Sequence, residues 1–189
     1  DIIPRLPMGS DSQPYAVDAH SMAVGDINGD GLDDIFVGEM SIPPYALIQQ
    51  DDGNFIIIKN DFYASLRNIP TSEVNKFNLL LDSALVDINN DGFDDLIAGF
   101  GHGDSSSKIY INNEGDFSED IFINLPNSIY GSDNQLHMKT MPYDFDYDGD
   151  TDLAIQWSRY EPYYGGQYIQ ILMNDGEGNF TDNTDKLIN

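Results

Sequence analysis

Asp26–Asp34 reads DINGDGLDD, Asp87–Asp95 reads DINNDGFDD, and Asp144–Asp152 reads DFDYDGDTD. Three copies of one nine-residue pattern in a single chain make internal repetition the first fact about its architecture. Each copy is followed by a short apolar run (IFVG, LIAGF, LAIQW), then a loop that differs between copies, then a second run ending in a Gly-rich turn and Phe. Those second halves read YALIQQDDGNF, KIYINNEGDF and YIQILMNDGEGNF. Short runs rich in Ile, Val, Phe and Tyr, bounded by Gly, Asn and Asp, are the signature of strands, and Asp52-Gly53 and Glu114-Gly115 suit tight hairpin turns. No stretch carries a sustained helical period. FYASL and NKFNLLL, within residues 60–81, leave room for a turn or two of helix. The pattern predicts an all-β chain with about four short antiparallel strands per repeat, the acidic loop joining the first strand to the second. That is the anatomy of a β-propeller blade. A single repeat domain over 1–189 is expected, with blades near 15–60, 78–123 and 136–183.

Composition narrows the possibilities. The 189 residues carry 33 Asp and Glu against 8 Lys and Arg, a formal charge of −25. Eight scattered cations cannot line a phosphate backbone, so no nucleic-acid partner is expected. The hydrophobic fraction of 40% is enough to build a core, which argues against a chain kept disordered by its charge. Runs such as FIII and LLL fall far short of the roughly 20 apolar residues that cross a bilayer, so no membrane insertion is expected. Zero cysteine removes disulfides, thiolate metal sites and cysteine nucleophiles together.

The acidic loops place side-chain oxygens at positions 1, 3, 5 and 9 with glycine at position 6. A hard cation needs oxygen donors on alternating residues and a chain able to fold tightly around it. The candidate ligands are Asp26, Asn28, Asp30 and Asp34 in loop one, Asp87, Asn89, Asp91 and Asp95 in loop two, and Asp144, Asp146, Asp148 and Asp152 in loop three. Backbone carbonyls at position 7, from Leu32, Phe93 and Asp150, supply a fifth donor. Calcium is the expected occupant of all three sites. Position 12, where an EF-hand loop needs a bidentate Glu, is Val37, Ala98 or Ile155, which excludes that motif. Magnesium prefers stricter octahedral geometry and keeps its water, and zinc prefers nitrogen or sulfur. Asp, Asn and Gly also dominate ordinary turns. Three copies with one oxygen spacing and one invariant glycine position argue for an ion, because clustered carboxylates repel without one. Loop three, with four carboxylates among its donors, is expected to bind most tightly.

With these residues, the chain resembles the FG-GAP and VCBS repeats of integrin alpha-subunit propellers and secreted bacterial proteins. The resemblance rests on DxNxDGxxD or DxDxDGxxD and on the trailing LxxNDGxGxF, fullest as ILMNDGEGNF at 171–180. It implies β-propeller blades whose strand-connecting loops hold structural calcium in an extracellular module for adhesion or ligand binding. Such propellers usually have about seven blades. Three blades would leave open ends, so an excised segment is expected, completed by further blades from the same protein or from a partner chain.

The third variable loop gathers Trp157, Arg159, Tyr160, Tyr163 and Tyr164 beside two glycines. That mix can stack on sugar rings or grip a protein surface, which makes a protein or carbohydrate ligand the expected partner. The alternative function is a propeller domain of a polysaccharide-degrading enzyme of lyase type, with His102, Arg159 and Tyr160 as its reacting groups. It rests on fold analogy. No nucleophile elbow, HExxH or phosphate loop accompanies it, so an enzyme is the less favoured expectation. The histidines are expected to be structural or solvated.

Overall fold

The computed structural model describes residues 19–39, 43–66, 69–70, 77–101, 107–162 and 165–188. The protein is all-β. Strands β1 (Ala19–Gly25), β2 (Asp34–Glu39), β3 (Tyr45–Gln49) and β4 (Phe55–Ile58) pair antiparallel in chain order as a four-stranded sheet. A short helix α1 (Asp61–Ser65) and strand β5 (Ile69–Pro70) lead into a nine-stranded sheet that curls like half a barrel. Within it β6 (Phe77–Val86), β7 (Asp95–Gly101), β8 (Lys108–Asn113) and β9 (Asp116–Asn124) pair in chain order. So do β10 (Gln135–Tyr143), β11 (Asp152–Arg159), β12 (Gln167–Met173) and β13 (Thr181–Asp182). The two runs join at one residue pair, Leu136 with Gly101. Helix α2 (Thr184–Leu187) follows β13.

The repetition extends into backbone detail. β1, β6 and β10 each lose register at one place, between Ala19 and Ser21, Leu80 and Asp82, and His137 and Lys139. The extra residue falls six positions ahead of its acidic loop in every case. A bulge at one repeated place bends each first strand in the same way. β1 lies beside β6, and β6 beside β10.

Register decides which side chains share a face. Ala23, Phe36 and Ala46 are cross-strand neighbours, and they join one buried cluster with Leu85, Leu96 and Tyr110 of β6–β8. On the opposite side of β6–β8, Ala84, Ile97 and Ile109 join a second cluster with Leu153 and Leu172. The alternation of strand side chains thus builds two cores, one between the four-stranded sheet and β6–β8, the other between β6–β8 and β11–β12 of the curled sheet. Helix α1 seals the first. Its Asn60 cap accepts a hydrogen bond from the Tyr63 N–H at 2.8 Å, and Phe62 stacks on Phe117 with centroids 5.3 Å apart. This helix lies where the sequence left room for one.

Candidate metal centre

Each acidic loop wraps its first carboxylate around the backbone that follows. In loop one Asp26 accepts from the N–H groups of Gly29 (2.8 Å), Asp30 (3.2 Å) and Gly31 (2.8 Å). Asp87 accepts from Asp91 (3.1 Å) and Gly92 (2.9 Å), and Asp144 from Asp148 (3.2 Å) and Gly149 (3.0 Å). The carboxylate at position 5 then accepts from the N–H at position 7: Asp30 from Leu32, Asp91 from Phe93 and Asp148 from Asp150. The tight path needs left-handed backbone twice. Position 6 is glycine in all three loops, with φ of 83°, 92° and 101°. Position 4 is also left-handed, occupied by Gly29, Asn90 and Tyr147 at φ of 74°, 59° and 62°. The sequence marked the first requirement and hid the second, because only loop one has glycine there.

Position 9 plays a different part. Asp34, Asp95 and Asp152 are fully buried. One oxygen of each accepts the N–H at position 2 (Ile27, Ile88, Phe145), and the other accepts an N–H from the third strand or the residue after it (Gln49, Asn112, Asn174), all at 2.8–3.0 Å. Each carboxylate therefore ties its loop to its own sheet. Burial, opposed by these N–H donors, raises the pKa of Asp34 and pushes that of Asp95 up to about 7. Asp146 is also raised, by dehydration within the loop and then by Asp148 and Asp152.

Loops one and two differ from loop three at position 3. The Asn28 and Asn89 amides donate to Asp30 and Asp91 at 2.9 and 3.0 Å, which replaces carboxylate repulsion with hydrogen bonds. Loop three has Asp146 instead. Ligand oxygens of Asp144, Asp146 and Asp152 lie within 4.8 Å of one another, the one such gathering among the described residues. An all-oxygen, multiply anionic set of this kind fits a hard divalent cation. Asp148 holds the Asp150 N–H, and the Asp150 carboxylate accepts from the Asn90 amide of loop two at 2.9 Å.

Two asparagines that the sequence reading did not single out, Asn112 and Asn174, bind the loops to one another. The Asn112 side chain donates to the Ile27 carbonyl in loop one (2.7 Å) and accepts from the Gly115 N–H (2.8 Å). Asn174 donates to the Ile88 carbonyl in loop two (3.0 Å) and accepts from the Gly178 N–H (3.1 Å). A further clamp runs from the Asp26 N–H to the Asp94 carboxylate at 2.7 Å. The signal was present as an Asn opening two trailing segments, NNEG at 112–115 and NDGE at 174–177.

Trp157 is corrected. It lies in β11, fully buried, with its indole N–H donating to Gln170 at 2.8 Å and its ring 4.7 Å from His137. Strand alternation turns it into the second core, so it offers no ligand contact. Arg159 ends β11 and is half-buried, and the Tyr160 N–H donates to the Asn134 carbonyl at 2.9 Å. Tyr163, Tyr164 and His102 lie outside the described residues. His137 is buried between Ser107 Oγ (2.8 Å) and Thr140 Oγ1 (2.6 Å).

Residues 19–41 match the family model for the FG-GAP repeat. The FG-GAP stretch contains β1, acidic loop one and β2, so the match covers the unit that the sequence repeats twice more. No curated protein matches the chain. Among the described residues no helix is long and apolar enough to cross a membrane.

Proposed function

We propose that the protein is a calcium-binding β-propeller module of three blades, β1–β4, β6–β9 and β10–β13, working outside the cell to bind a protein or carbohydrate ligand. The observation that carries the calcium reading is the convergence of Asp144, Asp146 and Asp152 in loop three. Loops one and two follow the same backbone path, and the FG-GAP match falls on loop one. Calcium would be held by Asp144, Asp146 and Asp152, with the matching residues of the other loops binding more weakly. The ion neutralises carboxylates that burial and mutual repulsion make costly to ionise. Its binding energy thereby becomes folding stability. An extracellular setting suits such sites, because modest-affinity calcium modules need the millimolar ion found there. Ligand contacts are assigned to Arg159, Tyr160, Tyr163 and Tyr164. Trp157 is withdrawn from that set.

Thermal melting in excess calcium, in magnesium and in chelator tests this reading. Calcium is expected to raise the melting temperature by several degrees and magnesium to do much less. Asp144→Ala is expected to remove the tightest phase of a calorimetric calcium titration. Identical melting with calcium and with chelator would sink the proposal.

A further inference from the structure

The carboxylates at position 9 and the two bridging asparagines form one unbroken line of hydrogen bonds through all three loops. In loop three Asp152 accepts from the Phe145 N–H (2.8 Å) and, on its other oxygen, from the Asn174 N–H (2.8 Å). The Asn174 side chain donates to the Ile88 carbonyl (3.0 Å), and the Ile88 N–H donates to Asp95 (3.0 Å). Asp95 accepts on its second oxygen from the Asn112 N–H (2.8 Å). The Asn112 side chain donates to the Ile27 carbonyl (2.7 Å), and the Ile27 N–H donates to Asp34 (3.0 Å). Every residue on this line except Phe145 is buried. A bond broken there is not replaced by one to water, so each link costs more to lose than an exposed one.

Other contacts run beside the line. Asp26 and Asp94 exchange two bonds, the Asp26 N–H to the Asp94 carboxylate (2.7 Å) and the Asp94 N–H to the Asp26 carbonyl (3.1 Å). The Phe93 ring lies over Gly29 so closely that no Cβ fits there. Between loops two and three, the Asn90 amide donates to Asp150 at 2.9 Å. In both pairs, position 7 of one loop meets position 4 of the loop before it.

We propose that this relay makes the three loops one cooperative unit, in which closure of one loop favours closure of the next. A loop is closed when its position-6 N–H sits on its position-1 carboxylate, as Gly31 does on Asp26, Gly92 on Asp87 and Gly149 on Asp144. Opening loop three frees Phe145 from Asp152. Asn174 then loses the anchored carboxylate that aims its side chain at loop two. Loop two acts on loop one through Asp95 and Asn112 in the same way. Asn112 and Asn174 are thus positioning residues for the loops. On the calcium reading above, an ion at loop three strengthens binding at its neighbours, while the coupling of the loops itself does not depend on that reading.

Amide hydrogen exchange of the full chain, followed by NMR in chelator, tests the relay with no ion present. The amides of Gly31, Gly92 and Gly149 each report their own loop. Asp144→Ala opens loop three and should speed exchange at Gly92 by about fivefold or more, the lower end of ordinary coupling between sites. The amides of β7 should keep their protection. In an Asn174→Ala background, adding Asp144→Ala should leave the Gly92 rate where Asn174→Ala alone puts it. Asn174→Ser serves the same comparison if alanine does not fold, because its hydroxyl is too short to reach the Ile88 carbonyl. An unchanged Gly92 rate in Asp144→Ala, equal acceleration with and without Asn174, or uniform acceleration that includes β7 would overturn the proposal. In a calcium titration read at the same amides, half-saturation at Gly92 should need about fivefold more ion in Asp144→Ala than in wild type. Half-saturation at the same concentration would also overturn it. No calcium response at any of the three amides, beside coupled exchange, would support the relay and sink the calcium reading alone.

Discussion

Tyr147 occupies a left-handed conformation at φ 62°, at the place where loop one has Gly29, and its ring is 81% exposed. A side chain with a Cβ in that region costs about 1–2 kcal/mol, and glycine relieves it. Because so little of the ring is buried, little packing is lost on its removal. Tyr147→Gly is expected to stabilise the protein by about 1 kcal/mol, an increase of roughly 2–4 °C in melting temperature for a domain of this size. Gly149, at φ 101° with open space around its Cα, shows the same constraint met by the residue that suits it. Trp157 teaches the opposite lesson. Its neighbours Arg159 and Tyr160 made it look like part of a binding loop, yet it belongs to a strand whose alternation buries it.

At the level of strands and hairpins, the Asn112 side chain supplies three polar contacts within a fully buried position. Asn112→Ala strands the Ile27 and Asp94 carbonyls and the Gly115 N–H. The expected loss is about 3 kcal/mol, read by urea unfolding, since each buried unpaired group costs about 1–3 kcal/mol. The repeats, strand alternation and turn glycines were legible because each is written in short range: period two, Gly at position 6, Asn or Asp at alternate places. The short helix was half legible, since FYASL has a capping residue, Asn60, two positions upstream. The cross-loop roles of Asn112 and Asn174 were not, because they depend on which loops the sheets bring together. Nor was the left-handed position 4, where Gly, Asn and Tyr share a conformation without sharing chemistry.

For the molecule as a whole, pH acts through two buried groups of opposite sign. Burial, with Lys139 adding to it, pushes the His137 pKa down to about 3. The unfolded chain takes up this proton near 6.5 and the folded one does not. Stability from His137 is therefore complete above pH 6.5 and declines toward pH 3, at up to about 1.4 kcal/mol per pH unit. Asp95, raised to about 7 in the metal-free protein, does the reverse: the folded state takes its proton first, so its charge costs least at low pH. Subtracting the His137→Gln profile from wild type, both in chelator, cancels Asp95. The stability gap between the two proteins should be largest near pH 8 and shrink steadily below pH 6.5. A constant gap would mean that His137 binds its proton equally well in the folded and unfolded chains.

The asparagine bridges also bear on how the chain is made. Asn112 lies 85 residues after the Ile27 carbonyl it holds, and Asn174 lies 86 after that of Ile88. During synthesis from the N-terminus, loop one acquires its last backbone partner only when the hairpin of the following repeat has left the ribosome. The first and second repeats are therefore each finished by their successor, and their maturation trails the growing end by about one unit.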